Sequence, residues 1–305
     1  MYVEKRIIGK TIKYYLVHSY RDKTQVKKIR KYLGQNLSPE ELKRSKLKAQ
    51  EHILQLLEEI NTKVFLFTLT RKQVERLNQY NDEIKIIHLD LKAWEKFTEE
   101  FVYNTNAIEG STIKREDVPI ILHKEQLRNA EELETKGVAK TVNYIRSTKK
   151  DLSLDFIKKL HKICFQGSKN FAGKLRNIEV VIRNPQGEIL HRGVPVSKLR
   201  ISLNDMIQWY KENKNKFKPL ILAAIIHNQF EYIHPFQDGN GRVGRLLLNF
   251  ILLKNKYPPI NITLEDRAEY YRTLQEYQNR HDLKPTAKFL IKQYKKTLKK
   301  VSTKK

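Results

Sequence analysis

The chain has 305 residues, of which 40% are hydrophobic and 10% aromatic, enough apolar material for one large or two small folded domains. This composition excludes a wholly disordered chain. A single cysteine excludes a disulfide framework and a cysteine-based zinc site, and it favours a reducing compartment, by default the cytoplasm. The apolar runs are too short to cross a membrane, and charges interrupt the N-terminus before a signal-sequence core could form, so we expect neither export nor an anchor.

The basic excess is concentrated at the two ends of the chain. The formal net charge is +26, and residues 1–50 hold 14 basic and 4 acidic residues, while residues 291–305 hold 7 basic and no acidic residues. Such ends indicate either a solvated lysine-rich surface or a surface that binds nucleic acid through its phosphates. The middle of the chain has the balanced charge of an ordinary globular domain.

The first predicted elements are a hairpin and a helix. Residues 13–33 are β-prone and partly alternating around residues 21–24, which predicts a basic β-hairpin. Ser38 and Pro39 are a favourable N-cap and first helical residue for a helix that runs to about Ile60. Helical periodicity then dominates as far as Phe165, with segments near 71–80, 89–108, 115–123, 130–147 and 153–165.

A second hairpin interrupts the helices between Gly173 and Pro195, with a turn at residues 184–187. Helices resume around residue 199, and Pro219 opens the next one. Residues 243–253 are apolar almost all round, as in a fully buried central helix, and two more helices follow at about 265–279 and 284–299. The sequence therefore predicts a mainly α fold with two small hairpins.

The segment directly before the buried helix carries the chemistry. Residues 234–245 read His-Pro-Phe-Gln-Asp-Gly-Asn-Gly-Arg-Val-Gly-Arg. Residues 239–241 let backbone N–H groups converge at a helix start, where the helix dipole also favours an anion. Arg242 and Arg245 share a helix face and can bind separate phosphates. Asp238 supplies the hard oxygen ligand that a phosphate-bound Mg²⁺ needs.

His234 fits a role as general base beside residues 239–241, whose converging N–H groups form a phosphate cradle. Its unperturbed pKa near 6.5 suits proton transfer, so it can accept a hydroxyl proton while the cradle stabilises charge on the phosphate. The alternative is a glycine-rich helix start next to a core histidine. That alternative does not explain why two arginines and a carboxylate crowd around one turn, because such a cluster needs an anion to be stable.

This segment matches the signature of the Fic (Fic/Doc) family at every position, and the chain resembles that family over about residues 90–290. Residues 172–176 with the second hairpin are similar to the family's entry to its flap, and residues 270–274 resemble the helix that closes over adenine. The resemblance implies a helical Fic fold and the transfer of AMP from Mg²⁺-bound ATP to a Ser, Thr or Tyr hydroxyl of a protein, with release of pyrophosphate.

The resemblance also implies a role for each matching residue. His234 is the general base and Asp238 the metal ligand. The residues that hold the nucleotide are Gly239, Asn240, Gly241, Arg242, Arg245, Tyr271 and Gln278. Residues 188–193 form a flap that binds the target backbone as an added strand, with an ordinary edge hairpin as the alternative. We divide the chain into a basic module at 1–62, a helical Fic domain at 63–290 and a basic tail at 291–305.

Residues 105–110, Thr-Asn-Ala-Ile-Glu-Gly, end the predicted helix near 89–109 and resemble the inhibitory motif of Fic proteins. The resemblance implies that Glu109 pairs with Arg245 and blocks the productive pose of the γ-phosphate. Some relatives use the same glutamate to position a water and remove AMP from a protein. Addition and removal of AMP therefore both remain open.

A third interpretation belongs to a different functional class. The basic hairpin, together with the basic residues of the first long helix, would bind nucleic acid, and the Fic domain would act only as a nucleotide sensor. Those helical residues are Lys43, Arg44, Lys46 and Lys48. The resemblance favours a homodimer, although no residue establishes one.

Overall fold

Eleven α-helices and three small antiparallel sheets make up the part of the chain that the computed structural model describes, namely residues 1–22, 25–61, 63–65, 67–86, 88–183 and 187–301. The mainly α prediction is confirmed. The chain divides between Val74 and Glu75 into two compact units, whereas the sequence-based division after residue 62 stays a prediction. None of the described helices is long and apolar enough to cross a membrane.

The first unit contains a three-stranded sheet and a long helix. Strands β1 (Tyr2–Ile8), β2 (Thr11–Asp22) and β3 (Gln25–Gln35) pair antiparallel in chain order. Helix α1 (Pro39–Asn61) follows, and its apolar side packs on one face of the sheet. The core of this unit consists of Tyr14, Leu16, Leu33, Ala49 and Ile53.

The predicted N-terminal hairpin and helix are confirmed, but the sequence analysis missed β1. The charges of β1 hide its alternation, and pairing with β2 through a tight turn at Gly9 (φ 62°) provides its stability. The predicted cap of α1 is present: the Glu41 N–H donates to Ser38 Oγ at 3.3 Å, and the Ser38 N–H donates to the Glu41 carboxylate at 2.8 Å. Part of the predicted turn, residues 23–24, lies outside the described residues.

Short strands and a bundle of helices complete the chain. Strands β4 (Lys63–Val64) and β5 (Phe67–Thr68) form a two-residue pair. The helices that follow are α2 (Arg71–Tyr80), α3 (Leu91–Ile108), α4 (Asp117–His123), α5 (Ala130–Ser147), α6 (Leu154–Phe165), α7 (Val196–Asn213), α8 (Pro219–Ile233), α9 (Asn240–Lys254), α10 (Arg267–Arg280) and α11 (Lys284–Val301).

Helices α8 and α9 form the centre of the second unit. Nearly every residue of both helices is buried, which confirms the prediction of a buried central helix after Val243. Pro219 is the first residue of α8, as predicted. Helix α11 extends to Val301, so residues 291–301 of the predicted basic tail lie in a helix whose apolar residues, such as Ile291 and Tyr294, are buried.

Strands β6 (Val181–Arg183) and β7 (Ile189–Arg192) form the second predicted hairpin. Residues 184–186 of its predicted turn lie outside the described residues. Apolar side chains of both strands are partly exposed, including Ile182 and Leu190. The hairpin lies at the mouth of the cavity described below, since both of these residues line it.

Candidate active site

The loop between α8 and α9, residues 234–239, is held in one shape by hydrogen bonds. The Asn240 side chain donates to the Phe236 carbonyl and accepts from the Phe236 N–H, both at 2.8 Å. His161 Nδ1 accepts from a backbone N–H, so its Nε2 carries the proton and donates to the Asp238 carbonyl at 3.0 Å. The His161 ring also stacks on Phe236 at 3.9 Å. The chain therefore shapes this loop without a ligand.

His234 ends α8 in the left-handed conformation, with φ 53° and ψ 63°. The buried Arg176 side chain holds this strained backbone, because its Nε donates to the His234 carbonyl at 2.7 Å while its other nitrogens donate to the carbonyls of Ile178 and Val194. Burial lowers the pKa of His234 to about 4, and the neighbouring His191 ring acts in the same direction. His234 is therefore neutral at pH 7, which is the form that accepts a proton.

The first turn of α9 can bind an anion. Its leading N–H groups have no intrahelical acceptors. Gly239 precedes the helix with φ 81°, and a Cβ there would lie 2.4 Å from the Phe165 ring, so conformation and packing both require glycine. The Asn240 side chain is used to hold Phe236. Asn240 can therefore offer the anion only its backbone N–H.

The structure brings Glu109 and Arg245 into direct contact. Arg245 is buried, and its Nη2 donates to Glu109 Oε1 at 2.7 Å and to the Thr105 carbonyl at 3.0 Å. Its Nε donates to Thr105 Oγ1 at 2.8 Å. A Cβ on Gly241 would lie 2.2 Å from Glu109 Oε1, so the pair sits against the first turn of α9. An anion that binds Arg245 through Nη2 must displace Glu109.

Arg242 and Asp238 each have a partner that the sequence analysis did not identify. Arg242 Nη1 forms an ion pair with Glu134 of α5. Asp238 Oδ2 lies 2.7 Å from Lys169 Nζ, and its Oδ1 accepts from the Gly239 N–H at 2.6 Å. Arg242, the predicted phosphate ligand, and Asp238, the predicted metal ligand, are thus each paired with an opposite charge in this structure.

A cavity of about 590 Å³ opens beside His234. Six of the predicted site residues line it, and five of them are Glu109, His234, Gly241, Arg245 and Tyr271. Gln278, predicted with Tyr271 on one helix face, lines it as well. Gly239, Asn240, Asp238 and Arg242 lie outside its lining. The structure therefore groups the predicted residues into a cavity and an adjoining ionic cluster.

Glu231 is a cavity residue that the sequence analysis missed. It lies one helical turn before His234 and is buried, and burial raises its pKa to about 8, so it is protonated at pH 7. Its Oε1 has no hydrogen-bond partner among the described residues, and a Cβ on Gly244 would lie 2.0 Å from that atom. The sequence could have indicated Glu231 through its spacing, because a residue three positions before His234 lies on the same side of α8.

The residues present fit a phosphate-bound Mg²⁺, although no three His, Cys, Asp or Glu side chains converge on one point within the described residues. Asp238 offers one carboxylate whose side chain is 47% exposed, at the start of the proposed anion site. Mg²⁺ is commonly bound by one or two carboxylates together with substrate phosphates and water. A single carboxylate therefore suffices only when a nucleotide supplies further oxygens.

Comparison with known proteins identifies related chains. Residues 151–252 match the model of the Fic/DOC family. A protein adenylyltransferase, fic-1 of Caenorhabditis briggsae, is 30% identical over 205 residues, which cover 63% of this chain and 39% of that protein. This chain thus spans about two fifths of the length of that curated relative.

Two solved structures share the fold. A Fic-domain-containing signaling protein from Bacteroides thetaiotaomicron superposes with a TM-score of 0.65 at 23% identity, over 76% of this chain and 99% of that chain. Fic-1 from Caenorhabditis elegans superposes with a TM-score of 0.62 at 24% identity, over 87% of this chain and 78% of that chain. At these identities the likeness establishes the fold alone.

Proposed function

Since residues 151–252 match the model of the Fic/DOC family, we propose that this chain is a protein adenylyltransferase, which transfers AMP from ATP to a Ser, Thr or Tyr hydroxyl of a protein. The observation that carries the proposal is the placement of neutral His234 beside a cavity that also contains Gly241 of the α9 first turn and Arg245. The names of the curated relatives support the same activity. A cytoplasmic location and a homodimer stay predictions.

The proposed reaction needs little covalent chemistry from the protein. The hydroxyl oxygen of the target forms a bond to the α-phosphorus, and the bond from that phosphorus to the bridging oxygen breaks, so pyrophosphate leaves. His234 accepts the hydroxyl proton. The first turn of α9 and the two arginines bind the phosphates and stabilise the developing charge. Asp238 would hold Mg²⁺, which neutralises polyphosphate charge when it is bound.

The other end of the cavity fits the nucleoside and the target. Tyr271 and Gln278 line the cavity on α10, and we propose that they contact adenine. The β6–β7 hairpin exposes apolar side chains at the cavity mouth, and a strand of the target protein can pair with it. Such pairing would present a target hydroxyl to His234 without requiring a specific target sequence.

We also propose that Glu109 inhibits this reaction. The Glu109 carboxylate occupies Arg245 Nη2, while Nη1 has no hydrogen-bond partner among the described residues, so Arg245 can bind the terminal phosphate through both nitrogens only when Glu109 leaves. Glu109→Gly frees Arg245, and labelling of the chain by ATP should rise at least about tenfold if a favourable contact of about 1.4 kcal/mol is restored in the transition state. Glu131→Gly is the matched control, since Glu131 binds Thr112 on the adjoining segment. Equal labelling of the wild-type and Glu109→Gly chains would exclude this role.

The position of the label tests the transfer of AMP itself. The Glu109→Gly chain is incubated with Mg²⁺ and ATP labelled either at the α-phosphate or at the γ-phosphate. Adenylyl transfer leaves the α-label on protein and releases the γ-label in pyrophosphate. Retention of the γ-label would establish phosphoryl transfer instead. If neither label is retained while the nucleotide binds, release of AMP from an already modified protein would favour the reverse activity.

A second candidate function follows from the charge on the sheet of the first unit. The register places Lys13, Tyr15, Lys28, Arg30 and Tyr32 on the face opposite α1, because they alternate with the core residues. Arg6 lies over Tyr15 on the same face at 5.3 Å. A basic face with aromatic rings suits nucleic-acid phosphates and bases. We propose duplex DNA as its ligand, since strands can enter the major groove.

The two basic surfaces of this unit allow a matched test. The sequence-based interpretation included Lys43, Arg44 and Lys46 of α1 in the same binding surface, but these exposed residues lie on the other side of the sheet, so we limit the proposed DNA surface to the sheet face. A triple variant with Lys13→Gln, Lys28→Gln and Arg30→Gln should bind DNA more weakly. The slope of its log affinity against log salt concentration should also be shallower by about two to three. The control is a triple variant with Lys43→Gln, Arg44→Gln and Lys46→Gln, which should keep the wild-type affinity and salt dependence. Fluorescence anisotropy at several salt concentrations measures both, and duplex binding that is absent or insensitive to salt would exclude this function.

A further inference from the structure

A second ionic cluster lies beside the Glu109–Arg245 pair, and it links the two predicted ligands that lie outside the cavity. Lys169, which follows α6, places its Nζ 2.7 Å from Asp238 Oδ2 and 3.2 Å from Glu134 Oε1. Glu134 Oε2 also pairs with Arg242 Nη1. Arg242 Nη2 lies 3.8 Å from Asp238 Oδ2, which closes the cluster. Four charged side chains thus form one ring, with two positive and two negative charges.

The two halves of this ring differ in their exposure to solvent. The side chains of Glu134 and Arg242 are 11% and 7% exposed, while those of Lys169 and Asp238 are 22% and 47% exposed. The Glu134–Arg242 half is therefore the more buried of the two. The Lys169–Asp238 half faces solvent, so its ion pair can open at a lower cost.

From this arrangement we propose that Lys169 is a positioning residue that occupies the metal's place on Asp238 and competes with Mg²⁺ for that carboxylate. The proposal rests on the proposed function, because Asp238 is a metal ligand only there. Lys169 would then set the divalent-cation affinity of the nucleotide site. Glu134 lets Lys169 leave Asp238, since Lys169 keeps this second carboxylate as a partner when Asp238 binds the metal.

The competition follows from distances and charge. A Mg²⁺ ligand oxygen lies about 2.1 Å from the ion, and Asp238 Oδ2 is already in contact with the ammonium at 2.7 Å. The other carboxylate oxygen, Oδ1, accepts the Gly239 N–H. A divalent ion on Oδ2 would face a like charge at close range, so Lys169 must leave that oxygen.

The test measures cation dependence of nucleotide binding rather than turnover. A non-hydrolysable ATP analogue is titrated by calorimetry into the full chain at a series of Mg²⁺ concentrations, and the midpoint for Mg²⁺ is read from the apparent affinities. Lys169→Met keeps the length of the side chain and removes the competitor. The Mg²⁺ midpoint should fall about three- to fivefold, the upper part of the range expected for loss of a partly exposed ion pair.

Lys174→Met is the matched control, because it removes the same charge from an exposed position five residues along the chain. This control should leave the midpoint within about twofold of wild type, as expected for a screened surface charge. A Lys169→Met midpoint that is unchanged, higher, or shifted only as far as in the control would overturn the proposal. Analogue binding by wild type without any Mg²⁺ dependence would instead contradict the metal role of Asp238, and thermal melting checks that each variant is folded.

Discussion

At the scale of single residues, the burial of His234 determines how the proposed reaction responds to acid. Its pKa of about 4 means that the free enzyme keeps a neutral base well below pH 7. We expect kcat/KM for labelling by the Glu109→Gly chain to stay level down to about pH 5 and to fall only near pH 4. Labelling rates against pH, with circular dichroism to confirm folding, measure this. An acid limb centred near 6.5, the ordinary histidine value, would contradict it.

A second residue-scale prediction concerns Glu231, whose pKa burial raises to about 8. Between about pH 4.3 and 8 the folded chain keeps a proton that the unfolded chain releases, so stability from this group falls as pH rises. Glu231→Gln removes this dependence, and the melting temperature of the variant relative to wild type should increase from pH 5 to pH 8.

The buried histidines do not obscure this comparison. His161, His227 and His234 have lowered pKa values and cost stability below about pH 6.5, but they do so in both chains and cancel in the difference. The expected difference at pH 8 is about 2 kcal/mol or more. A constant difference across the pH range would show that Glu231 is ionised in the folded chain.

At the scale of elements, the junction of the loop with α9 depends on Gly239. Gly239→Ala introduces backbone strain of about 1–2 kcal/mol and an overlap with the Phe165 ring, which adds about 1–3 kcal/mol. Gly187 is the matched control, because it has φ 83°, against 81° for Gly239, and no atom of the described residues lies within 4 Å of its Cβ position. Thermal or urea unfolding should show Gly239→Ala to be clearly the less stable of the two, and equal losses would contradict the packing argument.

The elements that the sequence predicted correctly are those with local signals. The Ser38–Glu41 cap, the Pro219 start and the apolar run after Val243 each mark an element within a few residues. Strand β1 was missed because its consecutive charged residues, Glu4 to Arg6, hide its alternation, and pairing with β2 provides its stability. The two-residue strands β4 and β5 are too short to carry any periodicity.

The same distinction holds for the candidate site. One contiguous segment supplied His234, Asp238 and both arginines, so spacing alone grouped them. Their partners come from distant helices: Glu134 lies 108 residues before Arg242, and Glu109 lies 136 residues before Arg245. The second pairing was available only through family resemblance. The first had no sequence signal, because a single glutamate on a helix looks like any solvated residue.

At the scale of the whole molecule, the two proposed functions lie in different compact units. Every residue of the proposed active site lies in the unit that starts at Glu75, and the basic sheet lies in the other unit with its own core. A chain of residues 75–305 should therefore fold, and with Glu109→Gly it should keep labelling activity within about twofold, since no site contact is removed. It should lose duplex DNA binding. A melting transition, labelling and anisotropy test this, and a fragment without cooperative unfolding would contradict it.

In the proposed function, His234 drives transfer of AMP at a site that Glu109 restrains. Intact-mass measurement tests it most directly, on the wild-type chain, Glu109→Gly and the double variant Glu109→Gly, His234→Ala after incubation with Mg²⁺ and ATP. We expect a mass increase of one or more adenylyl groups in Glu109→Gly, little in wild type, and none in the double variant despite undiminished nucleotide binding. Adenylylation of the double variant at the rate of the single variant would contradict the claim.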